Sequence, residues 1–404
     1  MTEWHLITGE YPPQSGGVSD YSRLVASGLA AAGDVVHVWC PPAGSSVQEE
    51  PGVIVHRELG KMGPRDLRRV SRMLDEFRPP RRLLVQWVPH AFGFRSANLA
   101  LSFWISRRAS AHEDHVEIML HEPYLPLPQR HLRHTVLALA HRLMLAMVLR
   151  AAARVWVAIP KWEEYCRPFL LQRSAPFAWL PVVSNIPVNQ HPGATEAVRA
   201  RYSISHQRLI GHFGTCGGAI GRSLRTVIPD LLNGHPERIF LLIGQDGEPV
   251  RDEILRECPQ LRGQIHVTGR LSSEEVSSHI LACDAMVQPY PDGVSSRRGS
   301  VMAAISHGKA VVTTSGRLTE PLWSDSGSVV LAPADEPSEL TRSVENLLID
   351  DSHRLRLGGV AKEFYERQFA LRNVIAALRS GSDSPLNATG LRYENVASTG
   401  STSF

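Results

Sequence analysis

The stretch Trp4-His5-Leu6-Ile7-Thr8-Gly9-Glu10-Tyr11-Pro12-Pro13-Gln14-Ser15-Gly16-Gly17-Val18-Ser19-Asp20-Tyr21 passes from a short apolar run through a Pro/Gly loop into a helical pattern. Leu24, Val25, Leu29 and Ala30 share one face of that pattern. A strand therefore ends in a loop, and a helix begins just after the glycine pair. Gly16 and Gly17 lack Cβ and let backbone approach a ligand closely. The helix N-terminus that follows offers unpaired N–H groups and partial positive charge to an anion. A plain surface turn is the competing reading of the same residues.

β-branched runs alternate with helical patterns along the whole chain. They are Trp4–Thr8, Val35–Trp39, Val53–His56, Leu83–Trp87, Val116–His121 and Arg154–Ile159, then Leu209–Phe213, Ile239–Ile243, Gln264–Thr268, Ala285–Gln288, Ala310–Thr314 and Ser328–Leu331. Such alternation predicts parallel sheets with helices on both faces, and two series predict two doubly wound α/β domains. The first is expected over 1–187, a linker rich in Pro and polar residues over 188–206, and the second over 207–360. A last helical pattern spans 361–380, and a Ser/Gly-rich segment of disordered composition fills 381–404. Ligands of open α/β sheets bind outside the carboxyl ends of the strands, so motifs at strand ends count most.

Composition narrows the classes. With 404 residues, 43% hydrophobic and 21% charged, the chain has a soluble globular balance and room for two ordinary cores. Cys40, Cys166, Cys216, Cys258 and Cys283 are scattered and form no C-x-x-C pair, which supports neither a disulfide framework nor zinc. Reduced thiols and the lack of a signal-peptide pattern lead to an expectation of a cytoplasmic protein. Thr135–Ile159 is the most apolar stretch, but His141, Arg142, Arg150 and Arg154 interrupt it, so a buried helix and strand are expected rather than a span. Residues 1–187 hold 21 Lys and Arg against 16 Asp and Glu within a whole-chain net charge of +3. Solvated helix faces account for that excess. The sharper alternatives are peripheral contact with the inner face of an anionic membrane, or a phosphate-bearing acceptor. Nothing indicates a nucleic-acid partner.

Four strand ends bear chemistry. Phe213-Gly214-Thr215-Cys216-Gly217-Gly218 is a second glycine loop opening a helix, with Arg222 as a charge partner for a pyrophosphate; a tight structural turn is the alternative. Ile243-Gly244-Gln245 and Thr268-Gly269-Arg270 are further strand exits. Ser272 and Glu275 read as a capping box. Gln288-Pro289-Tyr290-Pro291-Asp292-Gly293-Val294-Ser295-Ser296-Arg297-Arg298-Gly299-Ser300 is the strongest stretch. Two guanidinium forks beside a helix start, with Ser300 placed to cap it and Gly308 to end it, suit a diphosphate. Solvated surface arginines are the bland alternative. In the first half, Gln86-Trp87-Val88-Pro89-His90 and Leu120-His121-Glu122-Pro123 follow strands. The latter is not H-E-x-x-H, and the chain contains no Asp-x-Asp, so no metal site is read.

The Tyr-Pro-Pro loop running into Gly-Gly-Val, together with the Gln288–Val312 stretch, resembles family-4 retaining glycosyltransferases. The resemblance spans roughly residues 3–375. It implies a GT-B fold, two facing Rossmann-like domains, and transfer of a sugar from a nucleotide-sugar donor to a glycan, lipid-linked or small-molecule acceptor without a resident cofactor. It places Gly16, Gly17, Gly214, Thr215, Arg222, Gly293, Ser295, Ser296, Arg297 and Arg298 around the donor diphosphate and sugar. Gly244, Gln245, Gly269 and Arg270 would surround the base, and His121, Glu122 and Asp292 would be the catalytic candidates. It also implies that the last helix returns to the first domain. The chain departs from the family pattern in that Ser295 and Ala303 stand where two glutamates are usual. Thr215 and Ile220 stand where an Arg and a Lys are usual. A nucleotide-sugar epimerase, or a non-catalytic nucleotide-sugar-binding relative, remains open as an alternative.

Overall fold

The computed structural model describes residues 1–43, 50–127, 131–170, 175–189, 191–202 and 207–380. Two fully parallel sheets organise them. The first contains β1 (Glu3–Thr8), β2 (Val35–Trp39), β3 (Val53–His56), β4 (Arg82–Trp87), β5 (His115–Leu120), β6 (Arg154–Val157) and β7 (Phe177–Trp179). Their spatial order is β3-β2-β1-β4-β5-β6-β7. The second contains β8 (Arg208–Phe213), β9 (Arg238–Ile243), β10 (Ile265–Val267), β11 (Ala285–Gln288), β12 (Ala310–Ser315) and β13 (Val330–Pro333), ordered β10-β9-β8-β11-β12-β13. Both sheets reverse direction of build between their first and fourth strands. That switch point opens a crevice at the carboxyl edge.

The strands read as apolar runs because both faces are covered. Every residue of β9 is buried. Trp4, Trp39 and Trp87 fill the first core, and Trp323, Phe364 and Phe369 the second. The register Thr8↔Gln86 sets the loop after β1 beside the end of β4.

Three differences from the sequence reading have physical causes. β7 was not anticipated, since it has only three residues between Pro176 and Pro181. The expected linker is not wholly irregular, because Pro192–Tyr202 is a helix packed against the helix Ser273–Ala282; residues 190 and 203–206 lie outside the described residues. The expected single helix over 361–380 is two. Residues 361–368 finish the helix Asp351–Gln368, whose Phe364 and Tyr365 belong to the second core. After a break at Phe369 and Ala370, the helix Leu371–Ser380 enters the first core through Val374, Ile375 and Leu378. Arg82 Nη2 donates to Leu378 O at 2.9 Å, and Arg379 Nε meets Asp34 Oδ2 at 3.0 Å. The segment 381–404 also lies outside the described residues.

Candidate functional site

The loops after β8, β9 and β10 converge because their strands are neighbours. Gly214 and Gly244 have φ of 126° and 138°, and Gly269 has 71°. A Cβ on Gly244 would sit 3.1 Å from Gly214 O, so these two turns approach more closely than side chains would allow. Gly244 bridges to Gly269, and Gly244 N–H is held by Thr268 Oγ1 at 3.1 Å. A Cβ on Gly214 would touch Ser300 at 3.2 Å, which places the start of the helix Gly299–Ser306 against the same group of turns.

The Gly293–Arg298 loop lies across this edge. Its turn at Gly293 (φ 87°) leaves no room for a Cβ, which would fall 2.1 Å from Thr319 Oγ1. Asp292 Oδ2 accepts from Arg297 Nη2 at 2.5 Å, and Asp292 Oδ1 accepts from Arg298 Nη2. Burial pushes the Asp292 carboxyl up, but Arg298 and Arg297 outweigh it and hold the group below the usual carboxylate range. Arg297 also reaches Glu122 Oε1 of the first domain at 3.4 Å, and His90 Nδ1 lies 3.8 Å from Glu122 Oε2. Arg297 stands over the Trp162 ring and Arg298 over Tyr290. Nε of both arginines and Ser295 Oγ have no hydrogen-bond partner among the described residues. These are donors aimed into a loop that already faces the opposite domain.

Across the cleft, Glu122 points outward, whereas His121 turns inward. His121 is 7% exposed, its Nε2 lies 2.9 Å from Gln86 Oε1, and the Tyr21 ring meets it edge-on at 4.9 Å. Burial pushes its pKa down to about 3, so it is a neutral imidazole rather than a cation. Of the three catalytic candidates, Glu122 and Asp292 are therefore joined through Arg297, and His121 stands apart. The Gly16–Gly17 loop is crossed by Arg270, whose Nη2 donates to Ser15 Oγ. Arg57 Nη2 holds that loop through Pro12 O at 2.6 Å. Gly17 is open, with nothing within 4 Å of a Cβ placed there.

Buried neutral histidines have a measurable consequence. Burial lowers His5 to about 3, His121 to about 3 and His307 to about 4. Each stays neutral in the fold while its unfolded counterpart protonates below about 6.5. Their stabilisation is present above that value and is lost as pH falls towards the folded pKa, at about 1.4 kcal/mol per unit per group. Together the three groups should lose about 5 kcal/mol between pH 6.5 and 5, and Glu320, a buried carboxyl raised to about 7, should offset about 2 kcal/mol of that, so we expect the unfolding free energy to fall by about 3 kcal/mol. Urea unfolding at the two values checks this, and a flat profile would contradict it.

Several assigned residues are placed elsewhere by the structure. Ser296 does not face the cleft. Its Oγ meets Ala158 O at 2.8 Å, receives Trp179 Nε1–H at 3.0 Å and pairs with Glu320 Oε1, so it locks the two domains together. Arg222 lines a shallow cavity between the helices Gly218–Leu232 and Glu248–Glu257, beside Arg225, Glu253 and Glu257. The helix begins at Gly218, so Arg222 sits a turn in, on the face towards its neighbour helix. Thr215 and Gln245 are exposed at the edge. Ser300 is not the cap. Arg298 occupies that position without a side-chain cap bond, and Ser300 Oγ pairs with Tyr290 Oη at 2.7 Å. The Ser272–Glu275 capping box is present, at 3.2 and 2.8 Å.

Glu320 is the residue that the sequence reading missed. It is 5% exposed and accepts from Ser296 N at 3.1 Å and Trp323 Nε1 at 3.0 Å, with no cation among its hydrogen-bond partners in the described residues. Burial pushes its pKa up to about 7, against the lowering effect of the Ser296 and Trp323 bonds. Its position just past β12, followed by Pro321, is the signal that could have marked it, since it too is a strand exit at the cleft edge.

The family model described as glycosyl transferases group 1 matches residues 219–350. Sucrose-phosphate synthase from Thermosynechococcus elongatus superposes with a TM-score of 0.68 at 15% identity, over 94% of this chain and 98% of that one. Anabaena HepE in complex with UDP and glucose superposes with a TM-score of 0.69 at 14% identity, over 94% and 99%. WaaG, a glycosyltransferase involved in lipopolysaccharide biosynthesis, gives 0.65 at 16%, over 93% and 98%. The fold is GT-B. No curated protein matches the chain in sequence.

Proposed function

We propose that the protein is a glycosyltransferase that moves a sugar from a nucleoside diphosphate sugar to an acceptor hydroxyl bound in the inter-domain cleft. The observation that carries this reading is the Arg297–Asp292–Arg298 cluster. It lies beside a helix start whose Ser300 meets the Gly214 turn, and its Arg297 reaches Glu122 of the facing domain. The cluster supplies two guanidinium groups with unpartnered Nε–H donors beside a helix start, where a diphosphate would leave. The C1–O bond to the diphosphate breaks, and the leaving group takes the electron pair. The acceptor oxygen bonds to C1, and its proton passes to a diphosphate oxygen, with retention at C1. HepE has been solved in complex with UDP and with UDP-glucose, which makes UDP-sugars the first donors to try.

Ser295 and Ala303 are both fully buried where the resembled family has glutamates, and this favours binding without turnover as the second reading. Incubation with labelled UDP- and GDP-sugars separates the outcomes. Free diphosphate with a new glycoside supports transfer, an isomerised donor supports epimerisation, and binding alone supports the second reading. Because the charge sink is built from arginines, turnover is expected to survive EDTA. Complete loss on chelation, restored by Mn²⁺, would overturn the metal-independent part.

A further inference from the structure

The helix Leu132–Ala151 has two apolar faces. Met144, Leu145, Val148 and Leu149 are buried in the first core. The opposite face is exposed. Leu132 is 80% accessible, Val136 59%, Leu139 55% and Leu143 54%. Positions i, i+4, i+7 and i+11 fall on one side of a helix, so these four form a stripe rather than scattered residues. The helix Leu99–Ala111 packs alongside and adds Leu99 at 40% and Phe103 at 59%, one turn apart. A solvated helix face is ordinarily polar, and a contiguous exposed apolar patch marks an interaction surface.

The charges beside the stripe say what covers it. Neither 94–112 nor 131–154 contains an Asp or Glu. Arg95, Arg107, Arg133 and Arg150 are exposed on the same two segments. A second copy of the chain would bring these arginines against one another. A surface of anionic lipid instead takes the leucines and phenylalanine below its headgroups and the guanidinium groups among them. By length and composition the helix could cross a bilayer, yet its inner face is committed to the core, so it lies on the membrane rather than through it. We infer that this face docks the protein on an anionic membrane surface.

The docking face is coupled to the cleft by hydrogen bonds. Leu125 N donates to His141 Nδ1 at 3.2 Å, and Arg142 Nη1 donates to Leu125 O at 3.0 Å. Leu125 lies three residues beyond Glu122, so docking brings the acceptor side of the cleft close to the lipid. That consequence rests on the transfer reaction proposed above; the docking itself does not.

The test is cosedimentation of the full chain with phosphatidylcholine vesicles, with and without phosphatidylglycerol, at low and high salt. Binding should require phosphatidylglycerol and weaken with salt. The double variant Leu139→Glu, Leu143→Glu should bind about tenfold or more weakly, since it puts charge where apolar area must be buried. Arg107→Glu and Arg133→Glu should each lose about fivefold or more. Leu355→Glu, exposed on the second domain, should bind like wild type. The thermal unfolding midpoint and circular dichroism report whether each variant is folded, and if the leucine variant is not, the arginine variants decide. Failure of the wild type to sediment with anionic vesicles would overturn the inference. So would unchanged binding of folded leucine and arginine variants, or a dimer that the leucine variant dissociates.

Discussion

Arg297→Ala and Arg298→Ala should each weaken binding of a nucleoside diphosphate by roughly one to two orders of magnitude. A hydrogen bond to a charged group contributes about 1.5–3 kcal/mol, and each 1.4 kcal/mol is a factor of about ten. The two guanidinium groups are mostly buried, at 17% and 22% side-chain exposure, so solvent screens them less than surface arginines. Asp292 holds both through Nη2, and their Nε–H groups, without a partner among the described residues, are the donors left for a diphosphate. Nucleoside binding should change little, because these guanidinium groups would pair with phosphate and leave the base and ribose untouched. Arg222→Ala should also change little, since Arg222 lies between two helices on the outer side of the second domain. Calorimetric titration of UDP and uridine into the three variants measures all of this. Near-wild-type UDP affinity in both loop variants would sink the clamp, and a large loss only in Arg222→Ala would move it to the loop after β8.

The fold was legible wherever burial on both faces wrote a continuous apolar run. The central strands announce themselves in this way, the part-buried edge strands β3, β10 and β13 show only as short β-branched runs, and the two-sheet order follows from helices that force parallel crossovers. β7 was hidden because three residues carry no periodicity, and its role comes from Trp179 reaching Ser296 across the domain boundary. The late crossing of the C-terminal helices was hidden for a similar reason. Nothing local at Phe369 and Ala370 says which core the next turn will join; Gly28, Leu371 and Ile375 decide that by packing.

The site was legible at the level of loops and not of partners. Glycines with positive φ at 214, 244, 269 and 293 are visible as strand exits in sequence. Which side chains face one another across the cleft is not. Glu122 and Asp292 sit 170 residues apart in the chain and meet only through Arg297. His121 and Glu122 are adjacent just past β5, yet the imidazole is buried against Gln86 and Tyr21 while the carboxyl is 46% exposed towards His90 and Arg297. Ser296 looked like a donor ligand because its neighbours Arg297 and Arg298 do, but the turn closed by Arg298 N–H on Ser295 O turns both arginines to Asp292 and Ser296 to Ala158 and Glu320.

Glu320→Ala should be among the most damaging single substitutions in the protein. It leaves the Ser296 N–H and the Trp323 Nε1–H buried without acceptors, at about 1–3 kcal/mol each. A total of about 3–5 kcal/mol lowers the thermal midpoint by roughly 10 °C in a domain of this size. Glu320→Gln should behave differently, and pH should reveal why. Ser296 Oγ receives the Trp179 indole N–H and has one proton of its own, which Ala158 O is placed to accept at 2.8 Å. Its contact with Glu320 Oε1 is then satisfied when the carboxyl carries the proton and donates it. Glu320 titrates at about 7 in the fold against an ordinary 4.5, so its protonated form is the one the fold stabilises. That stabilisation is complete below the unfolded value and is lost progressively as pH rises to about 7, by roughly 3 kcal/mol in all. Glutamine keeps a donor and an acceptor in place and has no proton to lose. Its thermal midpoint should match wild type within a few degrees at pH 5 and exceed it at pH 8. Comparing the two proteins at each pH removes the opposing contribution of the buried histidines. A glutamine variant as unstable as the alanine variant at both pH values would show that the carboxylate, not the acid, joins the two domains.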